Sequence, residues 1–130
     1  MKGHTFRYPV NDRYSKPHLH IIISSSIEID EVLVVIMQSI KYDDSGNRYK
    51  SVDDSCLIRP HEHPAADLRE SYIAYNRARV LTIDEIDSVV TDGRAIWLAP
   101  VSNELLCRIQ DGARKSPHLA RKFQTYFMYF

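Results

Sequence analysis

Two uninterrupted apolar runs constrain this chain more than any other feature. Residues 19–24 read LHIIIS and residues 32–40 read VLVVIMQSI, both rich in β-branched side chains and neither alternating with polar ones. A strand with one wet face alternates, so a continuous run is a strand covered on both faces. A polar turn region, residues 24–31, separates the two. The pair therefore reads as the centre of a closed or tightly curled sheet.

Turn and strand signals continue through the first two thirds. Residues 42–54 are polar and contain Asp44-Ser45-Gly46-Asn47, the chemistry of an exposed loop or hairpin. Residues 56–59 form a short strand, residues 60–64 a loop bounded by Pro60 and Pro64, and residues 71–81 a longer strand rich in Tyr, Ile and Val. Helix signals then take over. Thr82 and Glu85 have the spacing of a capping box, and Ile83, Ile86, Val89 and Val90 supply an apolar face. Ser102 is an N-cap for a second helix lined by Leu105, Leu106 and Ile109. Ser116-Pro117 starts a third, with Pro at its first position. The expected architecture is α+β: a small, SH3-like, half-open β-barrel over about residues 1–81, with a helical tail over about 82–130. The whole is one domain, as a length of 130 residues and a hydrophobic share of 44% allow.

Phe123, Tyr126, Phe127, Met128, Tyr129 and Phe130 crowd the C-terminal end. Side chains this large pack on the barrel or on a partner chain, and a homodimer is expected. Cys56 and Cys107 both sit in apolar settings and read as buried free thiols. The first residues, Met-Lys-Gly-His, carry no apolar core of a signal peptide, and no run is long enough to span a bilayer. The chain is expected in the cytoplasm, away from membranes. Lys plus Arg and Asp plus Glu balance at 17 each, so a polyanion would have to be met by a local basic patch. The basic residues of the tail, Arg108, Arg114, Lys115, Arg121 and Lys122, are one such cluster, and a solvated helix face is the plainer account of them.

A set of short motifs follows in order. Gly3-His4-Thr5-Phe6 is a glycine-led first strand, and Lys16-Pro17 leads into the apolar strand ending at Ser24. Val34-Val35-Ile36-Met37-Gln38-Ser39 is a second apolar strand ending in Ser. Ser71-Tyr72-Ile73-Ala74-Tyr75 runs through Val80-Leu81 into the Thr82-led helix, and Val101-Ser102-Asn103-Glu104-Leu105-Leu106 opens the last one. In this order and spacing, from Gly3 to about Ala113, the chain resembles the PemK/MazF family of toxin–antitoxin toxins. The resemblance implies an SH3-like barrel, a homodimer, an antitoxin partner and cofactor-free, metal-independent cleavage of single-stranded RNA. It places the catalytic positions at Lys16, where the family has arginine, and at Ser39. Asn11-Asp12-Arg13-Tyr14-Ser15 stands in place of the family's Gly-Ser-Glu-Gln-like loop, and Arg13 offers a guanidinium there. Such cleavage needs a cation to stabilise a pentacoordinate phosphorane and groups that move a proton. The alternative to an RNA-cleaving enzyme is a catalytically inactive barrel that binds a protein or nucleic-acid partner.

The histidines leave three readings open. His18 and His20 are two apart, so on a strand they share a face, and His61 and His63 form a second such pair in the Pro-bounded loop. They satisfy local hydrogen bonds, or they act as acid, base and substrate contact, or they hold a transition metal, and Glu62, Asp67 and Glu70 lie near enough in sequence to complete either kind of site. The assignment made here gives His18 a proton-transfer role and His20, His61 and His63 substrate contacts. Tyr72 and Tyr75 fall on opposite faces of a continuous strand, one in the core and one open to stack on a base, a role given to Tyr75. Trp97 reads as core or interface.

Overall fold

The computed structural model describes residues 1–9, 17–25, 30–49, 51–66 and 69–129, with no side-chain account beyond residue 126. The long strands β2 (His18–Ser25) and β3 (Glu31–Ser39) pair antiparallel, with Leu19 opposite Met37 and Ile22 opposite Val34. β1 (Thr5–Tyr8) adds to the outer edge of β2. On the far side of β3 come β5 (Ser71–Ile73) and then β4 (Leu57–Ile58), named in chain order. β6 (Arg79–Thr82) pairs with the N-terminal half of β3, and β7 (Ile96–Leu98) closes the other edge against β1. The helices are α1 (Ile83–Thr91) and α2 (Asn103–Lys115), followed by a 3-10 helix at Arg121–Tyr129. The fold is α+β, a mostly antiparallel seven-stranded sheet among the described residues.

The double burial of β2 and β3 has a different origin from barrel closure. The edge strands β4 and β7 do not pair with each other, so the sheet stays open. Both faces are instead covered by helices. Leu19, Ile21, Ile23, Leu33, Val35 and Met37 face Leu105, Ile109 and Ala113 of α2 together with Phe123 of the tail. Phe6, Ile22, Val32 and Val34 face Ile86 of α1 and Ala95. A β-bulge between Ile22 and Ser24 turns the fully buried Ser24 hydroxyl toward the tail, where it donates to the Tyr126 carbonyl at 2.6 Å. Phe123 and Tyr126 thus lie on the sheet of their own chain.

The helix starts follow local chemistry. Thr82 accepts from the Glu85 N–H while the Glu85 carboxylate accepts from the Thr82 N–H, both halves of the capping box. Ser102 caps α2 by accepting from Leu105 N. The third helix begins at Arg121 rather than at Pro117, because the Ser116 hydroxyl accepts the His118 N–H and itself donates to Asp53, holding that turn out of the helix. Cys107 is exposed and only Cys56 is buried. Two residues along a helix turn the side chain about 200°, so Leu105 in the core puts Cys107 in water.

The expected strand over residues 71–81 is two strands. β5 and β6 follow the same edge of β3, but between Ser71 and Thr82 the chain has three residues more than the register needs. The surplus forms a 3-10 turn at Tyr75–Arg77. That turn drives Tyr75 into the core, 1% exposed, where its hydroxyl donates to the Ile109 carbonyl at 2.6 Å. Gly112 of α2 makes room for it: a Cβ there would stand 2.3 Å from the Tyr75 hydroxyl and 3.0 Å from both Cys56 Cβ and the Ser55 carbonyl. β7 carried no strand expectation. Trp97 on it is half-buried, edge-on to Phe6 at 5.7 Å.

Candidate functional site

β3 ends at Ser39, past the reach of either helix layer, and its side chain is exposed. Register puts Ser71 opposite it on one side, and Pro17 with the start of β2 on the other. These ends form one wall of a cleft of about 550 Å³. Arg7 enters from β1, Lys41 from the residues after β3, and Arg69 from the approach to β5. His18, Tyr49 and Tyr72 complete the polar and aromatic lining.

The electrostatics of this cleft are one-sided. Among the described residues, Arg7, Lys41 and Arg69 line it without an ion pair and no carboxylate lines it. Cations gathered around a low-dielectric wall focus a positive potential into the space between them. The nearby acids are engaged elsewhere: Asp43 accepts the N–H groups of Ser45 and Asn47 to build its own turn, and Glu70 meets Arg48 and the Tyr42 hydroxyl. Tyr49 is 51% exposed, which leaves a ring face for an unpaired base. Tyr72, by contrast, donates to Gln38 across the β3–β5 pair at 2.9 Å.

Of the residues expected to form a site, Ser39 and His18 are brought together in this cleft. Lys16 and Arg13, with Asp67, lie outside the described residues; Pro17, the neighbour of Lys16, lines the cleft. His18 and His20 do share a sheet face, but their roles part. His20 is 2% exposed, stacked on Phe6 at 4.9 Å, with Nδ1 on the His18 carbonyl at 3.0 Å and Nε2 taking a hydrogen bond from Arg79 at 3.1 Å. Burial pushes its imidazole down to about 4; the bond to the His18 carbonyl opposes this, and Arg79 adds to it. A ring so enclosed has no free face for a ligand and instead positions Arg79.

Two other assignments are corrected by burial and bonding. Tyr75 has no face open to a base. His63 is 3% exposed and uses both ring nitrogens internally, Nε2 donating to the Ala99 carbonyl at 2.7 Å and Nδ1 accepting from Ala65 N at 3.1 Å. His61 is exposed, at φ 71, but it borders a separate shallow cleft with Arg59, Glu62 and Arg108. The two histidine pairs therefore do not converge, and among the described residues no three His, Cys, Asp or Glu side chains gather to hold a metal. Burial also pushes the Cys56 thiol up to about 11, which leaves it unreactive near neutrality.

Sequence reasoning missed the cations. Arg7, Lys41 and Arg69 carry no local motif, and only the register of four strands makes them neighbours. Among the described residues no helix is long and apolar enough to cross a membrane. The chain matches no protein-family model, and no curated protein and no solved structure matches it.

Proposed function

We propose that this chain is a metal-independent endoribonuclease of the PemK/MazF type, acting on single-stranded RNA at the Ser39 cleft. One observation carries the reading: among the described residues, three cations without ion-pair partners line a cleft that holds an exposed serine, a histidine and no carboxylate. In this reading the charge of the phosphodiester meets guanidinium and ammonium groups directly. The open, mostly antiparallel sheet is compatible with the half-open SH3-like barrel of that family, and the same resemblance suggests a homodimer and an antitoxin as partners.

In this reading Arg7 and Arg69 grip non-bridging phosphate oxygens, and their charge offsets the extra negative charge of the phosphorane. The Ser39 hydroxyl donates a hydrogen bond to one of those oxygens. His18 moves the proton: the ribose 2′-OH loses it as its oxygen bonds to phosphorus, and the departing 5′-oxygen gains one. The products are a 2′,3′-cyclic phosphate and a free 5′-hydroxyl. Tyr49 stacks on a base and holds the strand single.

Nuclease-free protein incubated with long single-stranded RNA in chelator should cut it, and Ser39→Ala should lower kcat by on the order of 100-fold with affinity unchanged. Intact RNA with the wild-type protein, or equal cutting by the variant, sinks the proposal. A second reading, RNA binding without cleavage, has one point in its favour. His18 is the one side chain lining the cleft, among the described residues, of a type that titrates near neutral pH, and acid–base cleavage works best with two such groups. Tight binding without turnover would select it.

A further inference from the structure

The reverse face of the same sheet end carries a second cleft. α1 covers that face over Phe6, Ile22, Val32 and Val34. Beyond the helix, a space of about 530 Å³ opens, lined by Tyr8, Pro9, His18, His20, Ile36, Arg77 and Arg79. No carboxylate lines it among the described residues, and both arginines are exposed. Register explains the grouping. Tyr8 stands opposite His18, and Phe6 opposite His20, so aromatic and imidazole rings fill this face. Arg77 ends the surplus 3-10 turn between β5 and β6, and Arg79 opens β6.

The Arg79 guanidinium is held in place from below. Its Nη2 donates to His20 Nε2, and His20 is itself fixed by the His18 carbonyl, by stacking on Phe6 and by the edge of Tyr8 at 5.9 Å. One donor of the fork is used, and the others remain for a ligand. A guanidinium pre-oriented by a buried ring loses little entropy on gripping an oxyanion. Arg77 adds charge without a side-chain partner among the described residues. The floor of Ile36, Pro9 and Tyr8 is apolar, as a stacked base prefers. His18 lines both clefts, so they meet around the end of β2.

We infer that Arg77 and Arg79 form a second subsite that holds a flanking phosphate and base of the RNA strand whose scissile phosphate lies at Ser39. The strand then bends round the sheet end past His18. This rests on the RNA reading proposed above and extends it to substrate length: a short oligonucleotide fills the Ser39 cleft alone, and a longer one fills both.

The test compares a labelled dinucleotide and a labelled octanucleotide, both oligouridine with a 2′-deoxy block at the cutting site, over a salt series. Arg77→Glu should weaken the octanucleotide by on the order of tenfold, lower its salt slope by about 0.7, and leave the dinucleotide unchanged. Arg79→Lys, which keeps the charge but loses the fork, should weaken the octanucleotide by a smaller factor. Arg69→Glu should weaken both probes. If Arg69→Glu weakens both while Arg77→Glu and Arg79→Lys change neither, the second subsite is overturned and the RNA reading stands. If the wild-type protein binds neither probe, both fall together.

Discussion

Two basic regions of this chain, one clustered in sequence and one assembled only by the fold, differ in what their cations touch. The α2 and tail cluster is the denser one, yet three of its five cations are engaged. Arg108 is bonded to Glu62 and to the Leu57 carbonyl, Arg114 to Asp111, and the Lys122 ammonium lies 5.2 Å from the centre of the Phe123 ring. The sheet end gathers Arg7, Lys41, Arg69, Arg77 and Arg79 from scattered places, and among the described residues no carboxylate lines its clefts. A paired cation on a solvated helix contributes little to anything beyond its own pair. Unpaired cations around a concave wall hold a field that a polyanion can use. The lesson is that basic residues must be counted by what they touch.

The sharpest way to break that contrast is to neutralise each region in turn. Replacing Arg7, Lys41 and Arg69 together with Ala should lower RNA affinity by on the order of 100-fold and flatten the salt dependence by about 2 in slope. Arg108→Ala with Arg114→Ala should change affinity less than about twofold. Filter binding across a salt series reads both, and equal losses from the two sets would erase the distinction between the regions.

Acid should separate the two regions next. His20 is held neutral in the fold, with its imidazole lowered to about 4 from 6.5, so between those values the unfolded chain binds the extra proton. Stability at the sheet end is full above about pH 6.5 and falls as pH drops toward 4, by about 3 kcal/mol in total. The tail side answers later. Burial alone would raise the Asp53 carboxyl, but hydrogen bonds from Ser116 and Ser55 outweigh it and hold the carboxyl below its usual 3.8. That contribution is present above the unfolded value and is lost only as pH falls through the lower, folded one. Urea midpoints between about pH 7 and pH 4.5 should fall for the wild type and fall less for His20→Phe. A wild-type midpoint that is flat over that window would mean the imidazole is not held neutral.

The smallest effect sits between the regions, where α2 meets the turn that carries Tyr75. Gly112→Ala puts a methyl against the Tyr75 hydroxyl and two further atoms that cannot all yield. The variant should lose about 2 kcal/mol of stability while a folded fraction keeps the wild-type RNA affinity. Thermal unfolding together with binding tests this. Affinity that falls in step with stability would tie the cleft to α2 packing and blur the comparison.

The sequence was most legible where chemistry is local. The capping box at Thr82 and Glu85, the Ser102 cap, the turn around Gly46 and the shared face of His18 and His20 depend on neighbours within about four residues, and all are present as read. The runs at residues 19–24 and 32–40 were correctly strands buried on both faces. Their cover was misjudged, because a continuous apolar run says that something lies on each side and nothing about whether it is helix or sheet. His63 and Tyr75 were misassigned for a related reason. Both are polar-tipped side chains that look available in sequence, and each spends its polar atoms on a carbonyl far along the chain, Ala99 and Ile109.

The sequence by itself determined the two central strands, the helices α1 and α2 and their caps, since periods and caps are set by short-range sterics and hydrogen bonds. Tertiary structure alone decided the sheet's open form, the three-residue surplus that buries Tyr75, the strand at Ile96–Leu98 and the assembly of the cationic sheet end. Register is the physical reason. A one-residue slip between strands exchanges every side chain's face, so which cations meet around Ser39 is fixed only when β1, β2, β3 and β5 lock together over a buried core.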